Sequence, residues 1–210
     1  CEACISPSNH LARILIDEGR LTAPCYVRPN GINTKQYRDA DPADSPIEKN
    51  PGEKFIISVA RLSPEKRQRA LIEAIPFIPD TSIKLVLVGG GPYEPELRMR
   101  AEELSVTDRV IFTGMQPSDR VAALLKQADV FSLASYHFDN QPMTFLEAAS
   151  SGLPIVYCDE QMTEGLTERN AVLTDGIEGE NLAQAFNELF SDPERMERLS
   201  RGSLDVALEF

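Results

Sequence analysis

Residues 55–92 read FIISVARLSPEKRQRALIEAIPFIPDTSIKLVLVGGGP. The stretch contains a mainly apolar run at 55–60, in which Ser58 is polar, and a second at 83–88, in which Lys84 is polar. Apolar side chains also recur at helical spacing over residues 67–75. Parallel strands that are buried on both faces have such near-continuous apolar sequences, and parallel neighbours need a crossover between them. The stretch therefore predicts two parallel strands joined by a helix, with a turn at the glycines that follow the second strand.

The same unit recurs along the rest of the chain. Further strands are predicted at 110–113, 130–133, 154–157 and 171–173, and further helices from the glycine turn to residue 104 and at 117–127, 142–150 and 181–190. This alternation predicts an α/β fold, doubly wound around a mainly parallel sheet. Ligands of such sheets bind beyond the carboxyl ends of the strands, so the candidate binding loops are those after residues 60, 88, 113, 133 and 157.

Size and composition indicate a folded protein without a membrane span. The 210 residues are 42% hydrophobic, which excludes a disordered tail, and no apolar run approaches the roughly 18 residues that a span requires. The 21 basic and 33 acidic residues give a net charge of −12, which argues against a general binder of nucleic acids or anionic membranes. An anionic ligand would need a local basic patch.

The number and spacing of the cysteines indicate the redox environment of the protein. Cys1 and Cys4 form a CxxC pair, but no second pair follows at zinc-ribbon spacing, so we interpret them as ordinary thiols. A total of four cysteines in a chain that can build its own core favours a reducing compartment, and we expect a cytoplasmic protein. Because residue 1 is Cys rather than Met, we also expect a piece of a longer polypeptide.

The two ends of the chain fit the α/β pattern less well. Ser8 is a candidate cap of a helix that runs to Glu18, and a short strand is predicted at 24–28. Residues 39–53, rich in proline and mixed charge, are typical of a linker. We interpret the acidic segment from Glu178 as a solvated helical face.

The segment 61–69 is a candidate anion site. Its four basic residues and one acidic residue give a local charge of +3, and it follows a strand where the chain opens a helix. Cations and free N–H groups converge at a helix start, and a guanidinium suits phosphate geometry. We favour phosphate binding by Arg61 and Lys66, with Arg67 and Arg69 at the surface. The alternative is a solvated helix start with scattered salt bridges.

Glycines 89–91 also follow a strand and open a helix. They lack the GxGxxG order and no P-loop lysine follows, so a dinucleotide or P-loop site has weak support. We interpret them as a tight turn, with close approach to a ligand as the secondary interpretation.

The densest group of chemistry-bearing residues is SYHFDNQPMTFLEAA at 135–149. Pro142 suits the first position of a helix, which places Asp139 at the positive end of that helix. Carboxylates accept hydrogen bonds from vicinal hydroxyls, so Asp139 and Glu147 are candidate ligands of a polyol such as ribose. An equally weighted alternative is that Asp139 caps the helix and Glu147 pairs with a cation. We assign His137 no catalytic role, because no triad or metal-ligand spacing surrounds it.

Six segments, in this order and spacing, resemble the retaining GT-B glycosyltransferases of family four. They are VRPNGINTKQY at 27–37, VARLSPEKR at 59–67, VLVGGGPYEPELR at 86–98, VIFTGMQP at 110–117, ADVFSLAS at 128–135 and FDNQPMTFLEAASSGLPIV at 138–156. The resemblance covers nearly the whole chain and implies the Rossmann-like C-terminal lobe of a GT-B fold, which binds the sugar donor. It also implies an N-terminal-lobe remnant with the interlobe connection at 1–38, a linker at 39–53 and the donor-binding domain at 54–210.

Carried over to this sequence, the resemblance implies roles for individual residues. Arg61 and Lys66 would hold the donor diphosphate, Asp139 would contact the donor sugar, and these three would be the catalytic residues. Glu147 would contact the ribose, and backbone near Gly114 the base. The complete donor-binding set would be Arg61, Lys66, Gly114, Met115, Gln116, Asp139, Asn140, Gln141, Pro142, Met143, Thr144 and Glu147.

The resemblance also implies the partners. The donor would be a UDP-, GDP- or ADP-sugar, used with retention of configuration and with neither cofactor nor metal ion. The acceptor, a saccharide, lipid or small molecule, would meet mainly the absent N-terminal lobe of the same polypeptide, so this chain alone would be inactive. We expect no nucleic-acid partner and a cytoplasmic protein, either free or peripheral at the inner membrane face.

Two departures from the family pattern keep other functions open. Asp139 stands where the family more often has Glu, and a side chain shorter by roughly 1.5 Å has to reach its hydroxyl from a shifted loop or through water. Gln161 and Met162 stand where a glycine pair is common. The alternatives are a non-catalytic nucleotide-sugar-binding or interaction domain and, among enzymes, a GT-B epimerase or phosphorylase.

Overall fold

The computed structural model describes residues 2–210, which form two parallel sheets. The strands are β1 (Cys4–Ser6), β2 (Cys25–Val27), β3 (Lys54–Val59), β4 (Ile83–Val88), β5 (Val110–Gly114), β6 (Val130–Leu133), β7 (Ile155–Tyr157) and β8 (Ala171–Leu173). The smaller sheet pairs β1 with β2, and the larger has the order β5-β4-β3-β6-β7-β8. Every pairing is parallel, which confirms the predicted doubly wound α/β class.

Helices cover both faces of the six-stranded sheet. They are α1 (Asn9–Asp17), α2 (Thr34–Arg38), α3 (Gln68–Ala74), α4 (Glu94–Glu103), α5 (Ser118–Gln127), α6 (Met143–Ser150), α7 (Gly179–Ser191) and α8 (Pro193–Ala207). The core on one face takes its helical side chains mainly from α3, α4 and α7, and the core on the other face from α2, α5 and α6.

Strand β3 illustrates why the strands of this sheet are mainly apolar. Ile56 belongs to the core on the α3 face, whereas Phe55 and Ile57 belong to the core on the α5 face. All three side chains are at most 1% exposed. Successive strand residues point to opposite faces, so a strand that has helices on both sides is apolar at most positions. The polar Ser58 of β3 is itself buried.

The strand order reverses beside β3. The chain runs outward from β3 through β4 to β5 and then returns to β6 on the other side of β3. The loops that leave β3 and β6 therefore diverge, and a crevice opens at the carboxyl ends of these two strands. Doubly wound sheets bind ligands at such a switch point.

Two predicted helix starts differ from the observed ones for local reasons. The helix predicted at 67–75 begins at Gln68, because Arg67 has a left-handed backbone with φ of 51°. Pro142 precedes α6 as its N-cap residue instead of occupying the first helical position.

The segment from Glu178 is not simply a solvated face, which corrects the sequence interpretation. It forms α7 and α8, and apolar side chains on one side of these helices are buried: Phe186, Leu189 and Leu199 are at most 4% exposed. An abundance of charge along the sequence concealed an amphipathic pattern.

Residues 2–53 contact the rest of the chain at several points. Ser8 caps α1 as predicted, because its Oγ accepts a backbone N–H of the first turn at 3.1 Å. The carboxylate of Glu164 accepts the N–H of Asn9 at 2.7 Å, and Lys49 pairs with Asp129 at 2.6 Å. The division into remnant, linker and donor-binding domain stays a prediction.

Two further predictions concern membranes and thiols. Within residues 2–210, none of the helices is long and apolar enough to cross a membrane. Cys4, Cys25 and Cys158 are free thiols. Cys1, the other half of the predicted CxxC pair, lies outside the described residues.

Candidate functional site

Glycines 89–91 follow β4 and pack against the loop that follows β3. Gly89 has φ of +135°, and a Cβ there would lie 2.0 Å from the carbonyl oxygen of Ala60. A Cβ on Gly91 would lie 2.1 Å from the carbonyl oxygen of Leu62. Close backbone contact with the loop that leaves β3 therefore requires glycine at positions 89 and 91, for a reason other than the tight turn predicted from the sequence. Close approach to a ligand stays a prediction.

Lys66 and Asp139 meet in the crevice between β3 and β6. Lys66 ends a 3-10 helix that follows β3, and Asp139 lies in the loop between β6 and α6. The Nζ of Lys66 donates to Oδ1 of Asp139 at 2.5 Å, and the two side chains are 17% and 12% exposed. The ring centroid of Phe138 lies 5.3 Å from the same Nζ. The structure thus joins two residues that were predicted to act together.

Asp139 does not cap α6. Its second carboxylate oxygen, Oδ2, accepts a hydrogen bond from Ser135 Oγ at 2.5 Å, and Ser135 is fully buried. The residue that precedes α6 is Pro142, and no side chain within residues 2–210 caps the helix. The capping alternative for Asp139 is therefore wrong.

Arg61 has a different environment from Lys66. Its side chain is 65% exposed, and its Nη2 pairs with Glu65 at 2.5 Å. Its backbone carbonyl accepts a hydrogen bond from Gln68 Nε2 at 2.8 Å, which fixes the loop while the guanidinium stays at the surface. Arg61 therefore stands at the rim of the crevice with a partner that is easily exchanged.

The other two arginines of the basic segment have partners of their own. Arg67 is partly buried, and its Nη2 donates to the carbonyl of Ile177 at 2.7 Å. Arg69 is half exposed and pairs with Glu73 at 2.9 Å. The surface location predicted for both is confirmed for Arg69. Arg67 is only 29% exposed and ties the start of α3 to the segment before α7.

Gln141 ties the start of α6 to the loop at 28–33, which lies between β2 and α2. The N–H of Asn30 donates to Oε1 of Gln141 at 2.7 Å, and Nε2 of Gln141 donates to the carbonyl of Asn30 at 3.4 Å. The first N–H groups of a helix have no intrahelical acceptor, so the start of α6 can offer donors to a ligand. The other predicted residues at this helix start are Asn140, Pro142, Met143 and Thr144.

Glu147 lies within α6 beside Tyr37 of α2. Burial raises the pKa of the Glu147 carboxyl, and a hydrogen bond from Tyr37 partly opposes that rise. Burial and the adjacent Glu147 charge also raise the pKa of the Tyr37 hydroxyl. In the part of the chain that the structure describes, the partner of Glu147 is thus a hydroxyl, and the alternative that it pairs with a cation is wrong.

The residues after β5 reach the same edge of the sheet. Gly114 has φ of 67°, and its carbonyl accepts the N–H of Gly89 at 2.9 Å. Met115 is 83% exposed, and Nε2 of Gln116 donates to the carbonyl of Thr113 at 2.7 Å. The side-chain amide of Gln116 is engaged by the protein, while the Met115 side chain is open to solvent.

Asp159, which the sequence analysis did not single out, supports the loop before α6. Its buried carboxylate accepts the N–H of His137 at 2.7 Å and the N–H of Gln161 at 3.0 Å. Ligand atoms of His137, Asp159 and Glu160 lie within 4.8 Å of one another, as a metal ion would require. Because each Asp159 oxygen already accepts a backbone hydrogen bond, we assign this cluster the role of shaping the loop.

The cavity of about 460 Å³ between Lys54, Asp129 and Pro154 lies away from all these residues. Lys54 begins β3 and Pro154 precedes β7, so this cavity is at the amino ends of the strands. Doubly wound sheets bind their ligands at the opposite edge. The open crevice is therefore the candidate site.

Known proteins resemble this chain in sequence. The family model for glycosyl transferases group 1 matches residues 39–204. Alpha-monoglucosyldiacylglycerol synthase of Streptococcus pneumoniae is 30% identical over 164 residues, which are 74% of this chain and 37% of that protein. The GDP-mannose-dependent alpha-(1-6)-phosphatidylinositol monomannoside mannosyltransferase of Mycobacterium tuberculosis is 31% identical over 180 residues, 80% of this chain and 47% of that protein. The chain spans less than half the length of these relatives.

Solved structures resemble it in fold. Anabaena HepE in complex with UDP has a TM-score of 0.89 at 24% identity, over 100% of this chain and 59% of that one. The C-terminal domain of LpcC, a glycosyl transferase group 1 family protein of Francisella tularensis, has a TM-score of 0.74 at 19% identity, over 85% of this chain and 97% of that one. At these identities the likeness concerns the fold alone.

Proposed function

This chain belongs to the group 1 glycosyl transferases, and from that premise we propose that it is the donor-binding half of a retaining glycosyltransferase. The proposed reaction transfers a sugar from a nucleoside diphosphate to an acceptor with retention of configuration. The observation that carries the proposal is the contact of Lys66 with Asp139 at the switch point of the sheet. It joins a cation suited to phosphate with a carboxylate suited to a sugar hydroxyl.

Lys66 would exchange its carboxylate partner for the donor diphosphate. Its ammonium group has three N–H donors, and its low exposure strengthens attraction to an anion relative to a solvated side chain. Asp139 would then accept a hydrogen bond from a hydroxyl of the donor sugar. The ion pair thus describes the site before the donor enters.

Arg61 and Lys66 would stabilise the leaving group. Negative charge grows on the β-phosphate as the glycosidic bond breaks, and cations already in place stabilise it without solvent reorganisation. Lys66 is held in the crevice, Arg61 can leave Glu65 at little cost, and the first N–H groups of α6 add further donors. Because these groups can supply the countercharge, the proposal includes no metal ion and no cofactor.

The rest of the donor would extend along the same edge. Glu147 would bind the ribose hydroxyls, and backbone near Gly114 and Gln116 would meet the base. One relative is named for GDP-mannose, and HepE was solved with UDP, so the base of the donor is left among UDP, GDP and ADP.

The acceptor would meet mainly an N-terminal lobe of the same polypeptide. The two sequence relatives are named for a diacylglycerol glycolipid and a phosphatidylinositol mannoside, so a lipid acceptor joins saccharides and small molecules as a candidate. The proposed location is the cytoplasm, with peripheral contact at the inner membrane face if the acceptor is a lipid. The chain alone is expected to be inactive.

A thermal-shift and calorimetric screen tests the donor site. A ligand that binds the folded chain raises its Tm, so UDP, GDP, ADP and their sugars are compared on the wild type. Lys66→Ala and Arg61→Ala should weaken binding sharply, whereas Arg69→Ala, from the same basic segment but paired with Glu73, should leave it unchanged. No binding by the wild type, or equal binding by all variants, would refute the proposal. Tight binding without transfer by the parent polypeptide, across donor and acceptor panels, would favour the non-catalytic alternative.

A further inference from the structure

Two partners of different kinds hold the Asp139 carboxylate. Lys66 donates to Oδ1 and Ser135 donates to Oδ2, each at 2.5 Å. The Asp139 side chain is 12% exposed, and Ser135 is 0% exposed. Both oxygens of the carboxylate are therefore fixed in a largely buried position.

The donor would affect these two partners differently. The ammonium group of Lys66 is attracted to a diphosphate, so donor binding draws it away from Asp139. The hydroxyl of Ser135 is uncharged and buried, so the phosphates neither attract it nor reach it. Once Lys66 has turned to the diphosphate, Ser135 is the partner, among the contacts of the described residues, that still holds Asp139.

Ser135 is itself well placed to fix a neighbour. It lies two residues after the end of β6, and its carbonyl oxygen accepts a hydrogen bond from the buried Cys158 thiol at 3.7 Å. Asp139, in contrast, lies in a loop that includes the left-handed His137 and continues to Pro142. The hydroxyl of Ser135, just beyond the end of β6, therefore anchors the carboxylate of Asp139, which lies in a loop without regular secondary structure.

We propose that Ser135 is a positioning residue for the donor sugar, which acts by holding Asp139 and does not touch the ligand. The inference rests on the proposed donor site. An O–H donor to a carboxylate makes a short, strong hydrogen bond, and here it keeps Oδ1 directed at the sugar when Lys66 leaves. The short aspartate side chain makes this anchor necessary, because it has less reach with which to find a hydroxyl.

The test compares a donor with its nucleotide. The nucleoside diphosphate, among UDP, GDP and ADP, that binds the 210-residue chain most tightly is titrated beside its sugars by calorimetry. Ser135→Ala should lose about tenfold in affinity for the preferred nucleotide sugar, as expected for a hydrogen bond to a charged group, while the affinity for the nucleotide alone changes less than about twofold. Ser135→Thr, which retains the hydroxyl, should restore sugar binding.

Two controls separate positioning from a general structural role. Ser132→Ala removes an equally buried hydroxyl that donates to the carbonyl of Val156 at 2.9 Å, and it should leave the preference for the sugar intact. In an Asp139→Ala background, Ser135→Ala should have no further effect on that preference, because the residue through which it acts is gone.

The outcomes distinguish this inference from the proposed function. If the wild type binds no nucleotide, both the proposed donor site and the role of Ser135 are refuted. If the wild type binds the nucleotide sugar and Ser135→Ala binds it with the same affinity, only the role of Ser135 is refuted. An equal loss for nucleotide and nucleotide sugar, or an undiminished Ser135→Ala effect without Asp139, would also overturn that role. Should Ser135→Ala unfold, Ser135→Cys, which keeps the volume but has a weak donor, takes its place with the same expectation.

Discussion

The ammonium group of Lys66 lies 2.5 Å from the carboxylate of Asp139, although 73 residues separate them in the sequence. Neither residue could be assigned this partner from its own neighbourhood. The pair exists because the sheet reverses its strand order beside β3, which brings the loops after β3 and β6 to one crevice. Because this ion pair is largely buried, removing one of its two charges should change the stability of the protein.

Lys66→Met should destabilise the protein by about 1–3 kcal/mol. It keeps an apolar stem beside Phe138 but leaves the Asp139 carboxylate, 12% exposed, without its countercharge. Arg61→Met breaks an ion pair of the same length at the exposed rim and should leave the unfolding transition essentially unchanged. Thermal unfolding without ligand measures both, with about 2–4 °C of Tm per kcal/mol for a chain of this size. Equal shifts for the two variants would contradict this account.

Gly89→Ala should cost about 3 kcal/mol or more, or prevent folding. The new Cβ would lie 2.0 Å from the carbonyl oxygen of Ala60, on a backbone with φ of +135°. Gly52→Ala is the matched control, because Gly52 also has a positive φ of +89° but a Cβ added to it would meet no neighbouring atom within 4 Å. That change should cost about 1–2 kcal/mol, the left-handed strain alone. Urea unfolding measures the free energy of unfolding of both variants. A loss for Gly89→Ala no larger than that for Gly52→Ala would show that the backbone at Gly89 can move away from Ala60.

Much of the fold could be predicted because its signal is local. Strands buried on both faces are apolar at most positions, so β3, β4 and β6 stand out as near-continuous apolar runs in the sequence. The buried side of α8 was missed because the charged side dominates the composition, while the buried side needs only widely spaced residues such as Leu199 and Val206. Amphipathic spacing, rather than charge, was the signal that could have found it.

The candidate site could be predicted as a set of loops but not as a set of contacts. Position at the carboxyl ends of strands, with charge and polarity, singled out Lys66, Asp139 and Glu147. Their partners Ser135 and Tyr37 are ordinary buried residues whose roles depend on tertiary contacts. Ser135 stands four positions before Asp139 in the sequence, but this spacing occurs in many local structures and does not by itself indicate a hydrogen bond between the two side chains.

Glu147→Gln should stabilise the protein at neutral pH. Burial raises the pKa of Glu147 in the folded state above its ordinary value of 4.5, so ionisation is harder in the folded than in the unfolded chain. The stability that this group contributes is therefore fully present below pH 4.5 and is lost as pH rises through the folded pKa. Glutamine never ionises, so the variant and the wild type should be closest in stability near about pH 4 and diverge towards about pH 7. Urea unfolding across that range checks the sign; a variant less stable than the wild type at neutral pH would contradict it.

Gln141→Ala should loosen the loop at 28–33 without much effect on global stability. Oε1 of Gln141 accepts the Asn30 N–H at 2.7 Å, so its removal leaves that donor to water at an exposed site. The Asn30 amide should then exchange with solvent about five- to tenfold faster, because local opening no longer breaks a hydrogen bond that contributes about 1–1.5 kcal/mol. Asn140→Ala, at the adjacent exposed position, is the control and should leave Asn30 exchange unchanged. Hydrogen exchange followed by NMR measures both, and equal protection of Asn30 in the wild type and in Gln141→Ala would mean that Gln141 does not hold this loop.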